Sequence, residues 1–253
     1  MRTFKLTLAY DGSNYSGWQA QPGCKTLQET FERALTKVTG ETIRVTASGR
    51  TDAGVHALGQ VLSLLSETHL EPGILLKALN AELPHDVAVL EVIEAEPDFH
   101  ATGSAVRKRY RYVLHDGPIR DVFARHYMWH FRSQLDEVAM HLGAQILLGT
   151  HDFRSFESSG SRRESSVRTV FEIGVVRGQG SQCDRLTVEV EADGFLYNMV
   201  RTIVGTLVEV GKGNYPPSWI AQVVSARDRK AAGQTAPPQG LILLRVDYES
   251  TQS

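Results

Sequence analysis

The chain has 253 residues, 42% of them hydrophobic and 22% charged, with a net charge of −2. That is enough apolar material for one large domain or two small ones, which excludes disordered and fibrous classes. Cys24 and Cys183 form no CxxC, and no apolar run approaches the roughly 18 residues of a spanning helix, so disulfide scaffolds, thiolate metal sites and membrane spans are excluded and a cytoplasmic protein is expected.

Residues 3–10 place Phe4, Leu6, Leu8 and Tyr10 on one face and predict a half-buried strand. A Gly-rich loop follows. Thr26 and Glu29 form a capping-box pattern ahead of Leu27, Phe31, Leu35 and Val38, so a helix is expected over 26–38. Short β-prone runs at 43–48 and 60–65 flank the loop 49–59, which is too long for a tight hairpin and is a place to look for function. A helix over 72–81, with proline in its first turn, and a strand over 87–93 complete a β-α-β-β-α-β order.

The order then starts again. A strand is expected at 105–114, a helix from Ser133 through Leu148, a strand pair at 167–176 and 186–192, helices at 198–210 and 218–225, and a last strand at 241–248. The fold class expected is α+β: two β-α-β-β-α-β halves of ferredoxin- or RRM-like plan with antiparallel sheets, 1–103 and 104–253. Helices packed on one sheet face leave the other free to bind.

Charge is uneven along this plan. Residues 41–100 carry 3 basic and 10 acidic side chains, whereas 101–170 carry 11 basic and 7 acidic, so a basic face coexists with a near-neutral total.

Three segments carry chemistry. In Ser48-Gly49-Arg50-Thr51-Asp52-Ala53-Gly54-Val55-His56-Ala57, an arginine two positions from a carboxylate can hold it ionised or reach a phosphate, between glycines that free the backbone. The bland alternative is a surface turn with an internal Arg-Asp pair. In Arg107-Lys108-Arg109-Tyr110-Arg111-Tyr112, the tyrosines share one strand face and Arg109 and Arg111 the other, a pattern that suits base stacking and phosphate contact, or else a half-buried strand with solvated arginines. Arg201 opens an apolar helix, where it either snorkels to solvent or pairs with a carboxylate. His151-Asp152 is read as structural. GxxxxGK[ST], HExxH, GxSxG and a dinucleotide fingerprint are all absent, so the usual signatures of ATP, zinc and nicotinamide chemistry are missing.

Tyr10-Asp11-Gly12-Ser13, Gly17-Trp18-Gln19, residues 49–57, Lys108 to Tyr112, Asp152-Phe153 and residues 198–205 together resemble the bacterial tRNA pseudouridine synthase A family, in order and spacing, over nearly the whole chain. Residues 155–166 and 235–239 depart from that pattern. The resemblance implies the pseudouridine synthase fold and isomerisation of uridine to pseudouridine in the anticodon stem-loop of tRNA, just 3′ of the anticodon (positions 38–40), by a homodimer with no cofactor and no metal. On it, Asp52 is the expected catalytic carboxylate, paired with Arg201. Tyr110 is expected to touch the target uracil, Arg50 to hold the nucleotide out of the stack, Leu241 to line the pocket, and Arg107, Lys108, Arg109 and Arg111 to grip the RNA backbone. A non-catalytic RNA-binding module is the runner-up, and a hydrolase using Asp52 and His56 as acid and base the third reading.

Overall fold

The computed structural model describes residues 1–158 and 165–249. In chain order its main elements begin with β1 (Arg2–Tyr10), α1 (Leu27–Thr39), β2 (Thr46–Ala47), β3 (His56–Ser66), α2 (Pro72–Glu82) and β4 (Val87–Ala95). They continue with β5 (Ala105–His115), β6 (Trp129–His130), α3 (Glu137–Gln145), β7 (Gly149–Asp152), β8 (Val167–Arg177), β9 (Arg185–Ala192), α4 (Met199–Gly211), α5 (Trp219–Ala226) and β10 (Leu241–Tyr248). The class is α+β. Two compact units divide the chain: Met1–Val106 with Ile242–Ser253, and Arg107–Leu241. The split between them falls inside β5, after Val106, and the chain from Ile242 groups with the first unit.

Unit 1 is a sheet in the order β4-β1-β3-β10 with β2 alongside β3. Its β1 lies antiparallel to both neighbours, with Phe4 opposite Leu64 and Leu6 opposite Leu62. The alternation of β1 buries Phe4, Leu6 and Leu8 in a core shared with Phe31 and Leu35 of α1 and Leu75 and Leu79 of α2, each fully buried and each worth about 1.5–3 kcal/mol of transfer free energy. Gly40, at φ +76, ends α1 and donates its N–H to the Thr36 carbonyl. At the other end the capping box does not form: the Thr26 hydroxyl makes no capping bond, and Glu29 accepts from Arg33 instead.

The last strand joins this unit because β3 admits it. A Cβ on Gly59 would lie 2.4 Å from the Leu244 carbonyl oxygen, so only glycine lets the backbones close. That pairing is parallel, Ile242 with His56 and Leu243 with Ala57, which departs from the wholly antiparallel sheets expected.

Unit 2 has the sheet β5-β9-β8-β7, antiparallel throughout, with β6 added parallel to β5. Tyr112, Leu114, Leu186 and Val188 line its core with Ile203, Val204, Leu207 and Val208 of α4. Where β7 no longer runs beside β8, α3 satisfies that strand: Gln145 donates to the Ile173 carbonyl and the Val175 N–H donates to His141 Nδ1.

Candidate active site

The loop between β2 and β3 is held from below by polar groups that have left water. Ser48 donates to Gln60 Oε1 at 2.6 Å, and Gln60 Nε2 donates to the Gly49 carbonyl at 2.8 Å and to the Tyr10 hydroxyl at 3.3 Å. That hydroxyl shares a 2.8 Å hydrogen bond with Thr51 Oγ1. Ser48 and Gln60 are fully buried and Tyr10 nearly so, and burial pushes the Tyr10 phenol up to about 12 against the smaller opposing pull of Thr51 and Gln60. The network is satisfied throughout, which is the condition under which buried polar groups rigidify a segment.

Backbone contacts finish the clamp. The Trp18 N–H donates to the Thr51 carbonyl at 3.0 Å, and Val55 N–H closes a turn on the Asp52 carbonyl at 3.1 Å, with Gly54 at φ +78 in the position that favours glycine. A Cβ on Gly12 would sit 2.0 Å from the Val55 carbonyl oxygen, and one on Gly17 2.9 Å from that of Thr51. Segment 11–18 therefore abuts the turn at atomic contact. Half-buried Asp52 and exposed Ala53 stand at the tip, with exposed Arg50 beside them. His56 is buried; its Nδ1 accepts from the Gly12 N–H at 3.1 Å and lies 3.1 Å from Asp11 Oδ1, which also accepts from Ser13. With its Nδ1 so engaged, His56 is part of the clamp.

The sequence presented Tyr10, Gly12, Gly17 and Trp18 only as motif residues without a role. Ser48 entered as the first residue of the loop segment and Gln60 as the start of a strand, neither with a role, because their use lies in contacts formed across the fold.

In unit 2, Tyr110 is buried on β5 and meets Phe195 edge-on, ring centroids 5.0 Å apart. Tyr112, on the same strand face, is fully buried and donates to the Pro237 carbonyl at 2.7 Å; burial drives its phenol far above the ordinary value, against the weaker pull of the Arg201 charge. A Cβ on Gly240 would lie 2.6 Å from the Tyr112 ring, so that ring supports the chain entering Leu241. Arg201 is half-buried at the start of α4. It donates to the Ala236 carbonyl at 2.7 Å and to Asn198 Oδ1 at 2.8 Å, and its own carbonyl accepts from Ala236 N–H. The guanidinium thus ties the helix to the 233–236 segment.

The arginines expected to grip RNA answer carboxylates. Arg109 is ringed by Glu172, Glu189 and Glu191, Arg111 pairs with Glu189 at 2.6 Å, and Arg107 pairs with Glu191 at 3.3 Å and lies over the Phe171 ring. Lys108 lies on the tyrosine face of the strand by alternation. Among the described residues no group of three or more His, Cys, Asp or Glu side chains could hold a metal ion, and no helix is long and apolar enough to cross a membrane. Of the Ser/Arg-rich stretch 155–166, residues 159–164 lie outside the described residues.

A family model described as tRNA pseudouridine synthase matches residues 7–102 and 144–249. A protein named tRNA pseudouridine synthase A from Moorella thermoacetica is 47% identical over 250 residues, covering 98% of this chain and 100% of its own. One of the same name from Acetivibrio thermocellus is 44% identical over 249 residues, with 98% and 100% covered, and one from Geobacillus sp. (strain WCH70) is 46% identical over 250 residues, with 98% and 99% covered. Among solved structures, a Cbf5-Nop10-Gar1 complex aligns with 94% of this chain and 57% of that chain at 12% identity and a TM-score of 0.35, a likeness too loose to bear on the fold.

Proposed function

Because the chain belongs to the tRNA pseudouridine synthase family, we propose that it isomerises uridine in the anticodon stem-loop, just 3′ of the anticodon, with Asp52 as the catalytic carboxylate. That it is an isomerase acting on tRNA uridine follows from the family itself. The stem-loop, the aspartate, the homodimer and the cytoplasm are the finer part of the reading.

The reaction breaks the glycosidic C–N bond, turns the uracil and joins C5 to the sugar; the C5 proton leaves and N1 takes one up. Atoms and electrons balance without redox partner or external donor. A carboxylate ionised near neutral pH, with an ordinary value of about 3.9, can attack sugar or base, or take a proton from the sugar. Positioning is the larger demand, since a reacting group gains most when its geometry is fixed before substrate arrives. The single observation that supports Asp52 is the buried Ser48–Gln60–Tyr10–Thr51 network with Gly12 and Gly17 packed beneath the same turn.

In this reading Arg50 holds the target nucleotide out of the stack, while Tyr110, Arg201 and Leu241 contact it, as the resemblance implies. Arg107, Lys108, Arg109 and Arg111 are the candidates for the RNA backbone, and at Arg107, Arg109 and Arg111 a phosphate must displace a glutamate partner.

Asp52→Asn keeps the shape of the side chain and removes its charge. It is expected to abolish tritium release from tRNA labelled at uridine C5 while tRNA still binds. Release at the wild-type rate from that variant removes Asp52 from the chemistry.

A further inference from the structure

The chain leaves β5 after His115 and re-enters the sheet at Trp129. Its two ends are fastened side by side: His115 pairs with His130 across β5 and β6, Phe131 N–H donates to the His115 carbonyl at 2.7 Å, and Asp116 N–H to the Asp184 carbonyl at 2.8 Å. The Asp116 carboxylate, almost fully buried, accepts two hydrogen bonds from Arg177 and one from Leu135 N–H.

The excursion is ordered inside as well. Asp121 Oδ1 accepts from the N–H groups of Phe123 and Ala124 at 2.9 and 3.0 Å, its Oδ2 accepts from Arg185 at 3.0 Å, and Tyr127 N–H donates to the Ala124 carbonyl. These bonds, from Ala124 first, hold the Asp121 carboxyl below the ordinary carboxylate range. A backbone this firmly bonded presents Phe123 at 90% exposure and Ile119 at 79%. Arg120 and Arg125, three residues before Phe123 and two after it in the chain, are exposed, with Arg125 donating to the Val122 carbonyl, and Asp121, the one acid of residues 117–127, is already paired with Arg185, so the charge this stretch shows to solvent is positive.

We propose that residues 117–127 form a second RNA contact surface, in which Phe123 stacks on an unpaired base and Arg120 and Arg125 meet the neighbouring phosphates. A fixed aromatic between cations is what single-stranded or looped RNA requires, because every base offers a stacking face and every linkage a negative charge. Two exposed cations within three residues of an exposed ring are complementary to phosphate and base, which favours RNA, and a second copy of this chain is the alternative that the test separates. The segment lies between the two stretches that the family model matches. The inference rests on the reading of the chain as a tRNA enzyme.

The test measures binding of an unmodified tRNA transcript by fluorescence anisotropy across a salt series, with tritium release and sedimentation without RNA run on the same proteins. Phe123→Ala is expected to weaken binding about tenfold and to raise KM with kcat at saturating tRNA unchanged. Phe123→Tyr is expected to restore affinity to within about twofold, since it keeps the ring. Arg120→Gln with Arg125→Gln lowers the slope of log affinity against log salt by about 2. Wild-type affinity in Phe123→Ala overturns the proposal, as does an affinity loss that follows a change in sedimenting mass, which assigns the surface to a second copy. Pseudouridine formation by the wild type reads the functional proposal separately: none formed, with affinity still lost in Phe123→Ala, sinks that reading and supports this surface.

Discussion

A single hydrogen atom on Gly12 decides how close segment 11–18 comes to the Asp52 turn. The atom that a Cβ would meet, 2.0 Å away, is the Val55 carbonyl oxygen, and no rotamer change relieves a clash with backbone. Gly12→Ala therefore displaces the turn, and a misplacement of about 1 Å costs on the order of 100-fold in rate. Kinetics on tRNA should show that loss in kcat with KM little altered, whereas Gly73→Ala, where a Cβ meets nothing within 4 Å, should leave both at wild-type values. Equal losses in the two variants would mean that the contact with Val55 is not what positions the carboxylate. The loop itself was legible in the sequence, since glycines around Arg50 and Asp52 are a local pattern. Its support was not, because Gly12 lies 43 residues from Val55 and nothing near either predicts the contact.

At the scale of elements, Arg177 at the end of β8 does more than close a strand. It donates to both oxygens of Asp116 at 2.9 and 2.8 Å, to Glu137 at 3.0 Å, and to the carbonyls of Leu135 and Cys183, so the ends of β5 and β8 and the start of α3 meet on one guanidinium. The hydrogen bonds it donates to Asp116 come first in raising the Arg177 value, ahead of the opposing effect of burial. Removing Asp116 leaves this largely buried guanidinium with Glu137 as its remaining carboxylate and leaves the buried Leu135 N–H without its acceptor. Asp116→Ala is expected to lower stability by about 3–5 kcal/mol in urea unfolding, whereas Arg33→Ala, which removes the exposed pair with Glu29 on α1, is expected to cost about 0.5 kcal/mol or less. The same junction explains why the helix expected from Ser133 starts only at Glu137: Leu135 N–H is taken by Asp116, and Asp136 caps the first turn by accepting from Ala139 N–H. Long-range partners likewise shortened the strand expected at 43–48 to Thr46–Ala47, since Val45 N–H donates to Glu32 of α1 instead of to a strand. Elements with a strong internal period fared better. The alternation of β5 set Tyr110 and Tyr112 on one strand face, which is the buried one, but the glutamates on β9 that occupy Arg109 and Arg111 stand about 80 residues away and leave no mark near them.

For the molecule as a whole, buried phenols set an alkaline limit, and they are divided unequally between the units. Tyr10, Tyr15 and Tyr248 in unit 1 and Tyr112 in unit 2 all have phenols raised chiefly by burial, with Asp86 adding to the effect at Tyr15. A phenol raised on folding stays neutral in the native state while the unfolded chain ionises. Below pH 10 it has no effect on the balance, and as pH climbs above 10 the unfolded state gains ionisation that the folded state lacks, so stability falls. For Tyr10 the decline runs from pH 10 to about 12 and amounts to about 3 kcal/mol. With three such groups against one, unit 1 should lose its structure at lower pH than unit 2, breaking two-state behaviour. Tryptophan reports this directly, because Trp18 is buried in unit 1 beside Tyr10 while Trp129 and Trp219 belong to unit 2. In a variant that keeps only Trp18, the fluorescence transition in an alkaline titration is expected to come before that of a variant lacking Trp18 alone, and Tyr10→Phe should move it to higher pH. Coincident transitions in the two tryptophan variants, or a Tyr10→Phe protein that unfolds at the wild-type pH, would show that phenol burial does not govern the alkaline limit.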